Sequence, residues 1–376
     1  MMKIFNIIND LGFKFNIIIF FALPFYCSAQ NSTSSVSANL FFGNAVGKYK
    51  GVDKNQSSGF LINFEKSLEN NPAEWVRFLN AKNIAVGVIY TDMNNIQYPI
   101  HNVPYSFGKS FGIISHIDLG IISKNRFNLY LSPGFGLAYI NKTIKTNPES
   151  FVFGSHINAI FKTALKGEIE LGNNYSVLSE INFLHFSNGS FRIPNAGVNF
   201  MNASIGIKKK FNIHTYEIDS TASSELIKMP KNAFLFSAGM GRRGKYKRDD
   251  AFYRLHFYGG YSKFLNNVIA IKSGVDLFYY EETYNPNEYE DSITYLGETN
   301  NHFKSGVSIG TEVKLNRFSI TANLGYYLYF KSVYPQKTYW NIGFKYYLDE
   351  HFGVQTNLNA HQFQADFISG GVFILL

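Results

Sequence analysis

The chain has 376 residues, a formal net charge of +8, 16% charged residues and 17% aromatic ones. So many Phe and Tyr exclude a disordered chain. After residue 30 no run holds the ~18 consecutive apolar residues that a membrane-spanning helix needs, which leaves an all-β protein, either a sandwich array or a membrane barrel.

At the N-terminus, Lys3 and Lys14 precede or flank an apolar core over 17–26, followed by Cys27-Ser28-Ala29 before Gln30. This pattern predicts a secretory signal peptide over 1–29, with a core too short to cross a bilayer. The single cysteine, Cys27, falls inside it, and Pro24-Phe25-Tyr26 in front of it argue against lipid modification. The expected mature chain therefore has no disulfide and no thiol chemistry. Loss of Lys3, Lys14 and Asp10 leaves 33 basic and 26 acidic side chains. A basic exported chain suits anionic lipid headgroups, and equally suits solvated loops. Nucleic acid is not an expected partner.

From there on the pattern is period two, taken in chain order. Tyr175, Val177, Ile181 and Phe183 share one parity, while Ser176, Glu180 and Asn182 share the other. Tyr253, Leu255, Phe257 and Tyr261 oppose Arg254, His256, Tyr258 and Ser262. Ile269, Ile271, Val275, Leu277 and Tyr279 oppose Lys272, Gly274 and Asp276. Phe318, Ile320, Ala322, Leu324, Tyr326, Leu328 and Phe330 form another apolar face, and Trp340, Ile342, Phe344, Tyr346 and Leu348 a further one. Alternation of this kind predicts strands. Strands of roughly 10–15 residues exceed the five or six usual in sandwiches and fit an outer-membrane barrel with an apolar wall and a polar lumen.

The connections alternate as well. Short ones fall at 124–125, 172–174, 266–267, 316 and 349–350; long polar ones fall at 47–57, 92–110, 142–154, 188–197, 243–250 and 283–301. Short periplasmic turns and long outer loops are the rule for such barrels. Segment 67–81, with Pro72 and Trp75, is expected to hold a short helical turn on the periplasmic side. About eight strands are expected within 30–212 and about eight within 231–376, joined by a polar linker at 213–230. Gly-Lys-Tyr-Lys occurs at 47–50 and again at 244–247, a weak sign of duplication. The prediction is an antiparallel barrel of about 12–16 strands or two eight-stranded halves. The shortness of the linker favours one.

Chemistry concentrates at 183–199. His185 and Ser187 continue the apolar parity of their strand, and Asn199 shares the apolar parity of the next, with Met201, Ala203, Ile205 and Ile207. Three polar groups thus converge on the lipid-facing wall, where they are expensive. An imidazole can take the proton of a serine two residues away, so that the hydroxyl attacks an ester carbonyl, and a third group orients the imidazole. Asn199 can do so through its amide oxygen. Asn188, with the backbone N–H groups of Gly189 and Ser190, can support an oxyanion. The plain alternative is interfacial polarity at a strand end.

His185-Phe186-Ser187-Asn188-Gly189, followed by Pro194-Asn195-x-Gly197-x-Asn199, resembles the active-site hairpin of the lipid A 3-O-deacylase (PagL) family, most of all its longer members, the acyloxyacyl hydrolases. The segments 134–139, 154–158 and Gly59-Phe60 with Trp75 resemble that group too. The resemblance covers about residues 38–212, and Ala365-Asp366-Phe367-Ile368 resembles the end of the longer members. It implies an outer-membrane barrel that removes an ester-linked acyl chain from lipid A without a metal or other cofactor. Ser187 falls on the nucleophile and His185 on the base; Asn199 falls, by spacing, where the family has an acidic residue. That departure keeps open a second possibility, a non-catalytic porin or scaffold. His361 is expected to face the lumen, and the basic run 242–248 to lie in an outer loop. No His, Asp or Glu cluster has metal-ligand spacing.

Overall fold

The computed structural model describes residues 33–47, 55–100, 103–148, 150–212, 229–245, 251–283, 299–332, 336–362 and 364–376. The expected signal peptide, most of the linker, residues 48–50 of the first Gly-Lys-Tyr-Lys segment and 246–247 of the second lie outside the described residues. The chain divides into two compact units. Among the described residues, one holds 33–188 with 194–212, and the other holds Gly189–Ile193 with 229–376.

In the first unit the elements are β1 (Thr33–Val46), β2 (Gln56–Ser67), helix α1 (Glu74–Phe78), β3 (Ala81–Asp92), a small hairpin of β4 (Gln97–Ile100) and β5 (Val103–Ser106), β6 (Lys109–Lys124), β7 (Phe127–Ile140), β8 (Ile157–Gly172), β9 (Tyr175–Ser187) and β10 (Val198–Asn212). Eight of these strands close a barrel in the order β1-β10-β9-β8-β7-β6-β3-β2. Closure is made by β1 on β10, antiparallel from Thr33↔Asn212 to Val46↔Asn199. The second unit holds β11 (Asn232–Gly244), β12 (Ala251–Phe264), β13 (Ile269–Tyr280), β14 (Phe303–Leu315), β15 (Phe318–Tyr329), β16 (Thr338–Tyr347), β17 (Phe352–His361) and β18 (Gln364–Leu375). These close a second barrel through β11 on β18. The expectation of a single closed sheet is thereby corrected. Each half satisfies its own edge strands by pairing first with last, and a closed sheet leaves no edge to share.

Side chains alternate between wall and lumen as the pattern predicts. On β9, Ile181 and Phe183 are exposed while Glu180 and Asn182 are buried; on β15, Ile320, Leu324 and Leu328 are exposed while Ser319, Thr321 and Tyr327 are buried. Short turns close one end of each barrel. Asn125, Asn173, Asn174 and Asn316 adopt φ of 52°, 50°, 66° and 60°, the left-handed region that Asn tolerates better than other side chains bearing a Cβ. At the 349–351 turn the Asp349 carboxylate accepts from the N–H groups of His351 and Phe352 at 2.8 and 2.7 Å. These bonds hold it below the usual carboxylate range.

Ion pairs cross both lumens. In the first barrel Lys166 Nζ lies 2.9 Å from Asp118 Oδ2 and 3.4 Å from Glu65 Oε1, and Lys208 Nζ lies 2.6 Å from Glu168 Oε2. Lys162 and Glu180 pair at 3.0 Å. A buried charge persists only when it is paired, and these pairs meet that demand. Toward the long loops the same lumen becomes apolar, with Phe41, Leu61, Ile89, Phe107, Phe153, Leu184, Phe186 and Phe200 in one cluster. In the second barrel Lys345 Nζ lies 2.9 Å from Glu312 Oε2, and Tyr347 donates to Glu312 at 2.5 Å. No described helix is long and apolar enough to cross a membrane; the strands are the spanning elements.

Candidate functional site

The end of β9 and the start of β10 face each other, with His185 directly opposite Asn199 and Phe186 opposite Val198. Parity then separates the residues. Leu184, Phe186, Val198 and Phe200 turn inward into the apolar cluster, while His185, Ser187 and Asn199 take the opposite parity and are half-buried at the wall. The hairpin is thus anchored from behind by dry packing, and its polar residues open toward lipid.

His185 Nδ1 lies 2.6 Å from Asn199 Oδ1. Asn Oδ1 can only accept, so this bond places the proton on Nδ1 and makes Nε2 the basic nitrogen of the ring. The Phe161 ring stands beside the imidazole at 6.2 Å between centroids. Ser187 is two residues further along the strand, across from Ala159 on β8.

Gly197 controls the space between base and serine. Its φ is 62°, and a Cβ there would lie 3.2 Å from His185 Cε1 and 3.6 Å from Ser187 Cβ. Both side chains therefore close around the one residue that has none, which is the structural reason for a glycine at this position.

Asn195 is the residue whose role residue spacing did not reveal. Its Nδ2 lies 2.9 Å from Ser187 Oγ, and its Oδ1 accepts from the Asn188 N–H at 3.0 Å and contacts Ser187 Oγ at 3.3 Å. It reaches the serine across an irregular loop, where no periodicity signals a contact. Asn188 directly follows Ser187, and its side chain donates to Ser155 Oγ at 2.8 Å. Ser155 in turn donates to Ile157 O at 2.8 Å. Gly189 and Ser190, with φ of 60° and 67°, belong to the other unit, where Ser190 Oγ donates to Ala365 O at 2.8 Å.

His361 and His256 face the second lumen beside acidic residues. His361 lies 3.0 Å from Asp366 Oδ2 and 3.2 Å from the Tyr327 hydroxyl, fully buried as predicted. His256 lies 2.6 Å from Asp276 Oδ1, and Ser308 donates to the other oxygen of that carboxylate at 2.5 Å. Here the serine bonds the acid and not the base, so its hydroxyl is not activated. Among the described residues no group of three His, Cys, Asp or Glu is placed to hold a metal ion.

Two family profiles match the chain. The one described as lipid A 3-O-deacylase (PagL) covers residues 67–208, and the one described as acyloxyacyl hydrolase, C-terminal domain, covers 232–373. No curated protein matches. Among solved structures, the chain is similar to Neisserial surface protein A (NspA) at 12% identity, covering 47% of this chain and 97% of that one with a TM-score of 0.29. It is also similar to the toluene transporter TodX of P. putida at 12% identity, covering 93% and 89% with a TM-score of 0.16. The FrpB iron transporter from Neisseria meningitidis follows at 9% identity, covering 93% and 83% with a TM-score of 0.24.

Proposed function

Because the chain belongs to the lipid A 3-O-deacylase family of outer-membrane ester hydrolases, we propose that it removes an ester-linked acyl chain from lipid A by serine catalysis. The observation that carries this reading is the 2.6 Å bond from His185 Nδ1 to Asn199 Oδ1 on the same wall face as Ser187. Lipid A is a resident of the outer leaflet, and a polar site opening sideways from the wall can receive it without extraction into water.

In this reading Ser187 Oγ attacks the ester carbonyl carbon while His185 Nε2 takes its proton. The oxyanion that forms is stabilised by the Asn195 Nδ2–H group, already beside Ser187 Oγ, with Asn188 holding the turn. Collapse breaks the bond to the sugar oxygen, which takes the proton from the imidazolium. Water then attacks the acyl-serine, His185 accepting its proton and returning one to Ser187, and the fatty acid leaves. Asn199 fixes the imidazole's tautomer and direction. It supplies no negative charge to the imidazolium, so the rate should lie below that of a carboxylate-bearing site. The ion pairs and rings within the two lumens favour this reading over a porin; a scaffold would show itself by leaving lipid A unchanged.

An alkyl fluorophosphonate, which traps an activated serine, tests the assignment. It should add one adduct on the Ser187 peptide and none in His185→Ala. A folded, inserted protein that never labels at Ser187 would refute it.

A further inference from the structure

Ser187 meets Asn195 at the end of a chain of hydrogen bonds that starts at the junction of β8 with the loop before it. Ile157 O can only accept, so Ser155 Oγ gives it its one proton, at 2.8 Å. The Ser155 oxygen must then accept, and it does so from Asn188 Nδ2 at 2.8 Å. The backbone N–H of Asn188 can only donate, and it meets Asn195 Oδ1 at 3.0 Å. That contact decides which way the Asn195 amide faces, with Oδ1 toward Asn188 and Nδ2 toward Ser187 Oγ at 2.9 Å. The reversed amide would set Nδ2 against the Asn188 N–H, donor against donor, and would turn an acceptor on the serine.

Ser155 is itself held on both sides. The buried Asn158 donates from Nδ2 to Ser155 O at 2.8 Å. His156 Nδ1 donates to Ile140 O at 2.7 Å, and its ring stacks on Tyr139 at 5.1 Å between centroids. The same β7–β8 loop also holds the far end of the site loop. Phe151 O accepts from the Ala196 N–H at 3.3 Å, and Val152 O accepts from the Gly197 N–H at 3.4 Å. Val152 and Phe153 are buried in the apolar cluster of the first lumen, so close packing fixes these carbonyls. The backbone bonds thus hold the site loop just after Asn195, and the Ser155 hydroxyl holds it before, at Asn188.

We propose that Ser155 is a positioning residue of this esterase. It holds Asn188, and through Asn188 it keeps the Asn195 amide in the sense that offers Ser187 a donor. The assignment rests on the esterase reading above. In this role Ser155 touches no reacting atom. It acts on the oxyanion that forms beside Ser187, because a donor set in advance needs no reorganisation when the charge appears. Its loss should therefore lower kcat and leave KM, which reports ground-state binding when chemistry is slow, nearly as it was.

Fatty acid release from lipid A in mixed detergent micelles, measured on the full-length protein, gives both constants. S155A should lower kcat roughly 10- to 100-fold, with KM within about twofold of the unaltered protein. S155T, which keeps the hydroxyl, should recover most of the loss. N195A removes the donor itself, so adding S155A to it should slow release by less than about twofold further. An unchanged kcat in S155A, equal losses from S155A with and without Asn195, or S155T as slow as S155A would overturn the assignment. So would loss of folded gel mobility in S155A, which would make Ser155 a folding residue. No release by the unaltered protein is a different failure: it would bring down the esterase reading, and this assignment with it.

Discussion

The two barrels have the same strand number and the same division of wall from lumen, and they differ toward their long-loop ends. In the first, the lumen there is apolar, and the polar residues His185, Ser187 and Asn199 stand on the wall. In the second, the lumen holds Tyr280, Tyr327, Tyr339, Phe278 and Phe367, with His361 and Asp366 among the buried residues. His256 and His361 of the second barrel have carboxylate partners, better ones for an imidazolium than Asn199. What they lack is the wall: His361 and His256 are sealed among side chains, and Ser308 bonds Asp276. Access to the substrate, set by the parity of a strand position, separates a site from a packed core more sharply than the presence of a His–Asp pair.

The comparison is broken most severely by exchanging serines. Ser187→Ala should lower deacylation at least about 10³-fold, whereas Ser308→Ala should leave it unchanged, as measured by fatty acid release from lipid A. Where the lumens are alike they should respond alike. Lys166→Met removes the lysine from Asp118 and leaves Glu65 with Lys208 alone, and Glu312→Gln takes the carboxylate from Lys345; each should cost about 3–5 kcal/mol in urea unfolding followed by gel mobility. Gly197→Val should reduce turnover by about 10²-fold, since a branched Cβ at φ of 62° intrudes between base and nucleophile. Asn199→Asp should instead raise kcat, by about tenfold, because a carboxylate stabilises the imidazolium. An unchanged or lower kcat in that variant would show that proton transfer does not limit the rate.

Much of this was legible in the residues. The wall-and-lumen parity of β9, β12, β13, β15 and β16 follows from alternation alone, and so does the convergence of His185, Ser187 and Asn199 on one face. The helix at Glu74–Phe78 falls within the segment expected to hold a helical turn. Two features were not legible. Closure of β1 on β10 joins residues far apart in the chain, and local patterning carries no information on which distant edge a strand meets. The contact of Asn195 with Ser187 depends on a loop that turns through left-handed Gly189 and Ser190, and side-chain direction in such a loop follows no period. The basic run 242–248 was visible as charge, but its division between the wall at Arg242 and the lumen at Arg243 emerged only with the strand's extent.

Mass spectrometry of lipid A from cells producing the protein, beside cells producing Ser187→Ala at equal levels in the outer membrane, reads the esterase activity itself. A serine esterase should remove one ester-linked acyl mass with the unaltered protein and leave lipid A intact with the variant. Identical spectra from two folded, inserted proteins would contradict it.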